Sequence, residues 1–123
     1  MANFIHTRAH GLCGESRVAR YLEERGFTIL ARNYAQRYGE IDLIAQAKDL
    51  VVFVEVKMRT NSEVDPGELV HRSKQQKLIL TAKRYLASHY TDNVSYRFDV
   101  ACVMGDQANA EIIYLADAFN EQE

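Results

Sequence analysis

The stretch GEIDLIAQAKDLVVFVEVKMR, from Gly39 to Arg59, decides the fold. Two arms rich in Val, Ile, Leu and Phe flank the polar pair Lys48 and Asp49, a pattern that reads as a β-hairpin. With that pair at the centre of the turn, Asp42 faces Glu55 and Glu40 faces Lys57. Directly opposed residues on antiparallel strands point to one face with Cβ atoms roughly 4.5 to 5.5 Å apart, so two carboxylates are expected in one small space. The second arm, Leu50 to Lys57, is apolar on both alternations, as in a central strand covered on both sides. Its charges then fall in a cleft rather than in open water. Carboxylates crowded in a half-buried place raise a pKa or recruit a cation, and hard oxygen ligands favour Mg²⁺, with Mn²⁺ as a substitute.

Outward from the hairpin, the pattern predicts a helix from about Ala9 to Arg25, stopped by Gly26. Leu12, Glu15, Ala19 and Leu22 recur at three- and four-residue steps, which puts the Glu15 carboxylate on the core-facing stripe. A first-turn acid favoured by the helix dipole is the plainer account of Glu15. The carboxylate cleft of the hairpin weighs against it. Phe27 to Asn33 is expected as a strand, with a polar connection from Tyr34 to Tyr38. After Arg59 a polar loop of about ten residues holds Pro66, beside the candidate site. A second helix ends near Tyr90, and its start is marked either by Ser73 with Gln76 or by Asp65 with Glu68. Its buried stripe is Leu78, Ala82, Tyr85 and His89, extended toward the start by Gln75, with Lys74 beside it. Tyr96 to Met104 and Ala110 to Leu115 complete the strands, the last at an edge. The order is α-β-β-β-α-β with one further strand. An α/β fold follows, a central mixed sheet flanked by two main helices, in a single domain over 1–123.

The chain has 123 residues, 26% charged and 47% hydrophobic, which excludes a disordered chain and makes disulfide or metal staples unnecessary. There is no apolar run of about 18 residues and no secretory signal at the start, so a cytoplasmic protein is expected. Cys13 and Cys102 form no C-x-x-C pair, and Cys102 reads as a core residue. The net charge of −2 argues against a nucleic-acid partner, but the distribution matters more than the sum. Arg72, Lys74, Lys77, Lys83 and Arg84 lie between His71 and Arg84 without an acid among them. Such a run is either a solvated helix face or a phosphate-binding element.

His6, His10 and Cys13 would line up as zinc ligands on a continuous helix, but Gly11 and Gly14 weaken that helix and no fourth ligand is spaced nearby. No phosphate-binding glycine loop or nucleophile elbow occurs. The hairpin has a plain alternative in cross-strand ion pairs, Glu40 with Lys57 above all. Two carboxylates and one ammonium on a half-buried face leave a net negative charge, which is costly without a further cation. A divalent ion on Asp42 and Glu55 would acidify a water and stabilise charge on a phosphate, with Lys57 on the same face positioning that water. Phosphodiester hydrolysis is the chemistry these parts suit.

The constellation of Asp42 followed by Glu55-x-Lys57 resembles the Asp…(Asp/Glu)-x-Lys signature of the restriction-endonuclease-like nuclease superfamily, whose core has the same α-β-β-β-α-β order. Gly14-Glu15, Arg32-Asn33, GEIDLIA at 39–45, FVEVKMR at 53–59 and Lys74-Gln75 together resemble the YraN-like family of small bacterial proteins. The resemblance, through its similarity to Holliday-junction resolvases, implies that Glu15 completes the metal site with Asp42, Glu55 and the Val56 carbonyl. It implies too that Gln75 contacts this site or the substrate, and Gln75 with Lys74 is expected to handle the phosphate. The expected function is a Mg²⁺-dependent endonuclease or resolvase-like enzyme on DNA, with RNA as a second substrate class. A resolvase-like action would need a homodimer. The alternative is a nucleic-acid-binding module or adaptor of the same fold that does no chemistry.

Overall fold

The structure, a computed structural model, describes residues 14–59, 70–92, 94–105 and 111–121. The His6, His10 and Cys13 zinc alternative, the loop after Arg59 and the Asp65–Glu68 helix start lie outside these residues. Helix α1 (residues 14–24) leads into strands β1 (Thr28–Gln36), β2 (Gly39–Ala47) and β3 (Leu50–Arg59). Helix α2 (Arg72–His89) follows, then β4 (Ser95–Met104) and β5 (Glu111–Phe119). The five strands form one mixed sheet in the order β1-β2-β3-β4-β5. Only β3 and β4 run parallel, because α2 carries the chain back across the sheet between them. This is the α/β architecture the sequence predicts, including its central strand.

The apolar character of β3 on both alternations has a direct structural reason. Val52 and Val54 pack with Val18, Ala19 and Leu22 of α1 on one face, while Val51 and Phe53 pack with Leu78, Ala82 and Tyr85 of α2 on the other. All four of these β3 residues are buried. Cys102 is buried in the neighbouring strand, as expected of a core thiol. Among the described residues no helix is long and apolar enough to cross a membrane.

Several details depart from expectation. Strand β1 runs on through Gln36, absorbing residues 34–36 that the sequence suggested were connection. Pairing with β2 supplies the backbone partners that make this polar segment extended. The N-cap of α2 is His71, with no side-chain cap, so the Ser73 and Gln76 box is not formed. Gln75 instead donates its amide to the Val70 carbonyl at 2.9 Å, tying the helix start to the incoming chain. Thr81 joins the buried stripe of α2, whereas His89 is exposed and stacks on Tyr85 with centroids 4.0 Å apart. Strand β5 is longer than expected, reaching Phe119.

Candidate active site

The hairpin ladder runs in the predicted register from Ala47 opposite Leu50 to Leu43 opposite Val54, and there it stops. Beyond this point β3 keeps its partner β4 as far as Arg59, but it no longer pairs with β2. The backbone group released at the opening is taken up by a side chain. Asp42 Oδ2 accepts the Val56 N–H at 2.8 Å. A buried backbone donor needs such a partner, and supplying it fixes the Asp42 carboxylate at the mouth of the opening. The predicted Glu40–Lys57 pair does not form, because the strands have parted before they reach it. Lys57 Nζ instead lies 3.3 Å from Glu55 Oε2.

Glu55 alternates with Val51 and Phe53, so it faces α2, and its side chain is 5% exposed. The Lys74 ammonium, from the first turn of α2, closes a second ion pair on the same Oε2 atom. The Asp42 and Glu55 carboxyls lie close enough for the charge of one to act on the other. Burial, then the charge of Glu55, pushes the Asp42 carboxyl from 3.8 up to about 7, with the Glu15 charge acting the same way. The Val56 N–H opposes this rise. Partial burial works against the Lys74 ammonium, but its bond to Glu55 and the charges of Glu55 and Asp42 hold its pKa above the ordinary lysine range. Like charges forced together in a poorly solvated place keep a proton between them unless a cation replaces it.

Glu15 approaches from α1, near enough for its charge to act on Asp42, but its Oε1 accepts a hydrogen bond from Asn33 Nδ2 at 3.1 Å. Asn33 has a positive φ of 51°, unusual inside a strand, and Asn is among the few residues that adopt it readily. Next to it, Arg32 Nη1 reaches Ser16 Oγ at 3.4 Å. The Arg32-Asn33 pair thus anchors the start of α1 against β1. Gly14 lies under the Met58 thioether so closely that a methyl group there would overlap it, which lets α1 approach β3 beside the site.

The donor set fits a hard divalent cation in part. Two crowded carboxyls, one of them holding its proton up to about 7, offer oxygen ligands whose crowding a divalent ion would relieve. Mg²⁺ commonly takes one or two carboxylates and completes its shell with waters and substrate phosphate oxygens. Among the described residues no group of three or more His, Cys, Asp or Glu side chains is gathered to hold a metal. Glu15 therefore stands beside the pair, held by Asn33. Gln75, committed to Val70, is part of the scaffold that presents Lys74.

Sequence reasoning missed a second buried acid. Asp99 is fully buried and accepts from Arg97 Nε at 2.9 and 3.2 Å, from the Tyr114 hydroxyl and from the Asp117 N–H at 2.9 Å. All its partners lie on β4 and β5, where the pairing slips between Phe98 and Val100. It is a fully satisfied clamp on an irregular edge strand. Its one signal in the sequence is a lone acid in an apolar strand beside Arg97.

Fold and site together define an α/β protein with a carboxylate pair, a lysine two residues along the same strand and a basic helix start converging at the opening of a hairpin. The chain belongs to uncharacterised protein family UPF0102, whose sequence profile it matches over residues 14–103. It is 38% identical to a UPF0102 protein of Myxococcus xanthus over 92% of this chain and 90% of that one. It is 40% identical to a UPF0102 protein of Treponema pallidum over 94% and 96% respectively. The YraN-like family resemblance is thereby established. A solved protein of unknown function from Silicibacter pomeroyi aligns over 85% of this chain and 68% of its own at 20% identity, but its TM-score of 0.38 is too low to carry an argument.

Proposed function

We propose that this protein is a metal-dependent nuclease that hydrolyses phosphodiester bonds of nucleic acid, an endonuclease or resolvase-like enzyme acting on DNA ahead of RNA. The observation that carries this reading is the crowding of the Asp42 and Glu55 carboxyls at the hairpin opening, with Lys57 Nζ 3.3 Å from Glu55. A divalent ion held by Asp42 and Glu55, with the Val56 carbonyl as a further oxygen, would acidify water and neutralise charge on the phosphate. The residues of the chain do the rest. The Val56 N–H fixes the orientation of Asp42. Lys57 positions the attacking water and offsets negative charge as it develops. Lys74, 46% exposed and reaching in from α2, turns from Glu55 toward the incoming phosphate.

The test is cleavage of branched, single-stranded and duplex DNA, and of RNA, in Mg²⁺, Mn²⁺ or EDTA. Cleavage is expected with either metal and abolished by EDTA, and Lys57→Ala and Glu55→Gln should each lower it on the order of 10²-fold or more. Cleavage indifferent to both substitutions would belong to a contaminant and sink the reading. A non-catalytic nucleic-acid-binding module is favoured by one observation, the Lys74 ammonium seated on Glu55 where a cation would lie. Salt-sensitive binding with no cleavage in any metal would select it.

A further inference from the structure

Helix α2 divides its basic residues between two sides. Lys83 turns to the far end of the chain, where its Nζ pairs with Glu121 Oε2 at 2.6 Å. Lys77 and Arg84 turn the other way and make no ion pair with a carboxylate among the described residues. They line two separate cavities that follow one another along α2 beside the β1–β2 hairpin and together form a shallow trough. One end is a cavity of about 130 Å³ walled by Gly39, Glu40, Lys74, Lys77 and Leu78. The other is a cavity of about 430 Å³ whose walls include Tyr34, Tyr38, Arg84 and Ser88. The Arg84 guanidinium lies over the Tyr38 ring, 4.1 Å from its centroid. Gly39 packs β2 closely on α2 at the edge of the first cavity, since a Cβ there would meet Thr81 Oγ1 at 3.2 Å and Lys77 Cβ at 3.5 Å.

The trough adjoins the candidate active site, because Lys74 both lines its near end and holds Glu55. Lys74 and Arg84 are ten residues apart on one helix, a rise of about 15 Å. Over that length Lys77 and Arg84 are set against the carboxylate of Glu40, and Lys74, paired with Glu55, stands at the near end. Cations interleaved with tyrosines are what a single strand requires, with charge for successive phosphates and ring faces for the bases. A duplex, whose bases are already stacked inside, has no use for the rings.

We propose that the trough between α2 and the β1–β2 hairpin binds an unpaired nucleic-acid strand leading to the Asp42–Glu55 pair, so that the substrate class is nucleic acid with a single-stranded segment. This rests on the nucleic-acid reading of the site but not on its catalysis. The test is fluorescence anisotropy in EDTA with a single-stranded oligonucleotide, a blunt duplex and a duplex with an overhang, across a salt series. The single strand and the overhang bind more tightly than the blunt duplex. Tyr38→Leu weakens strand binding about tenfold, as the loss of a stacked base does. Arg84→Ala lowers the slope of log affinity on log salt by about 0.7, the value for one single-strand phosphate contact, whereas Lys83→Ala leaves it unchanged. Equal effects of Arg84→Ala and Lys83→Ala, or preference for the blunt duplex, overturn the proposal. Because EDTA removes cleavage from the experiment, a protein that binds strands in this trough and never cuts them sustains this inference while the nuclease reading fails. A protein that cuts, with Tyr38→Leu and Arg84→Ala binding unchanged, does the reverse.

Discussion

Replacing Asp42 by Asn should stabilise the metal-free protein in alkaline solution. The Asp42 carboxyl is raised from 3.8 to about 7 because it is buried against Glu55, so at high pH the fold must hold a charge it would rather have as a neutral acid. At about 1.4 kcal/mol per pKa unit the interval corresponds to roughly 4 kcal/mol, and water reaching a part-exposed side chain screens this to an expected effect of about 2 kcal/mol. The sign follows from linkage. A group whose folded pKa is raised contributes its stability fully below the unfolded value, here 3.8, and loses it as pH rises through about 7. Asn keeps the geometry, since its carbonyl can accept from the Val56 N–H and its amide can donate to Glu55. Urea unfolding in EDTA at about pH 5 and about pH 8.5 should therefore show Asp42→Asn ahead by less than about 1 kcal/mol at the lower pH and by about 2 kcal/mol at the higher. Adding Mg²⁺ at the higher pH should reverse the order, because an ion at about 100 times its dissociation constant stabilises the wild type by about 2.7 kcal/mol and the variant hardly at all. A variant less stable than wild type at both pH values would refute the argument that charge crowding strains the pair.

Substitutions at three further positions probe the surroundings. Asp99→Ala removes the acceptor for Arg97, Tyr114 and the Asp117 N–H and should cost about 3–5 kcal/mol in urea unfolding, without altering Mg²⁺ binding by calorimetry. Asn33→Gly keeps the left-handed backbone while releasing Glu15, so thermal unfolding should change little and the loss should fall on cleavage rate; Asn33→Ala should add a stability cost of about 1–2 kcal/mol. Gly39→Val forces a branched side chain against Thr81 and Lys77 and should destabilise by about 1–3 kcal/mol, with single-strand affinity falling alongside.

The hairpin was legible in the sequence because strand patterning is local. Apolar residues on both alternations of Leu50 to Val54 require a cover on each face, and an even turn centred on Lys48 and Asp49 fixes which residues oppose each other up to Leu43 and Val54. Those two facts determined the α/β class, the central strand and the meeting of Asp42 with Glu55. The tertiary structure decided everything that depends on distant elements arriving together. Only there does the ladder open after Leu43, so that Asp42 takes the Val56 N–H and Lys57 turns to Glu55 instead of Glu40. The same holds for Lys74 on Glu55, for Asn33 holding Glu15, and for the division of Lys83 from Lys77 and Arg84. Helical periodicity places a residue on a face, but which element that face meets is set by packing across the sheet. A cross-strand register is carried by neighbours in the chain, whereas the company a carboxylate keeps is carried by the whole fold.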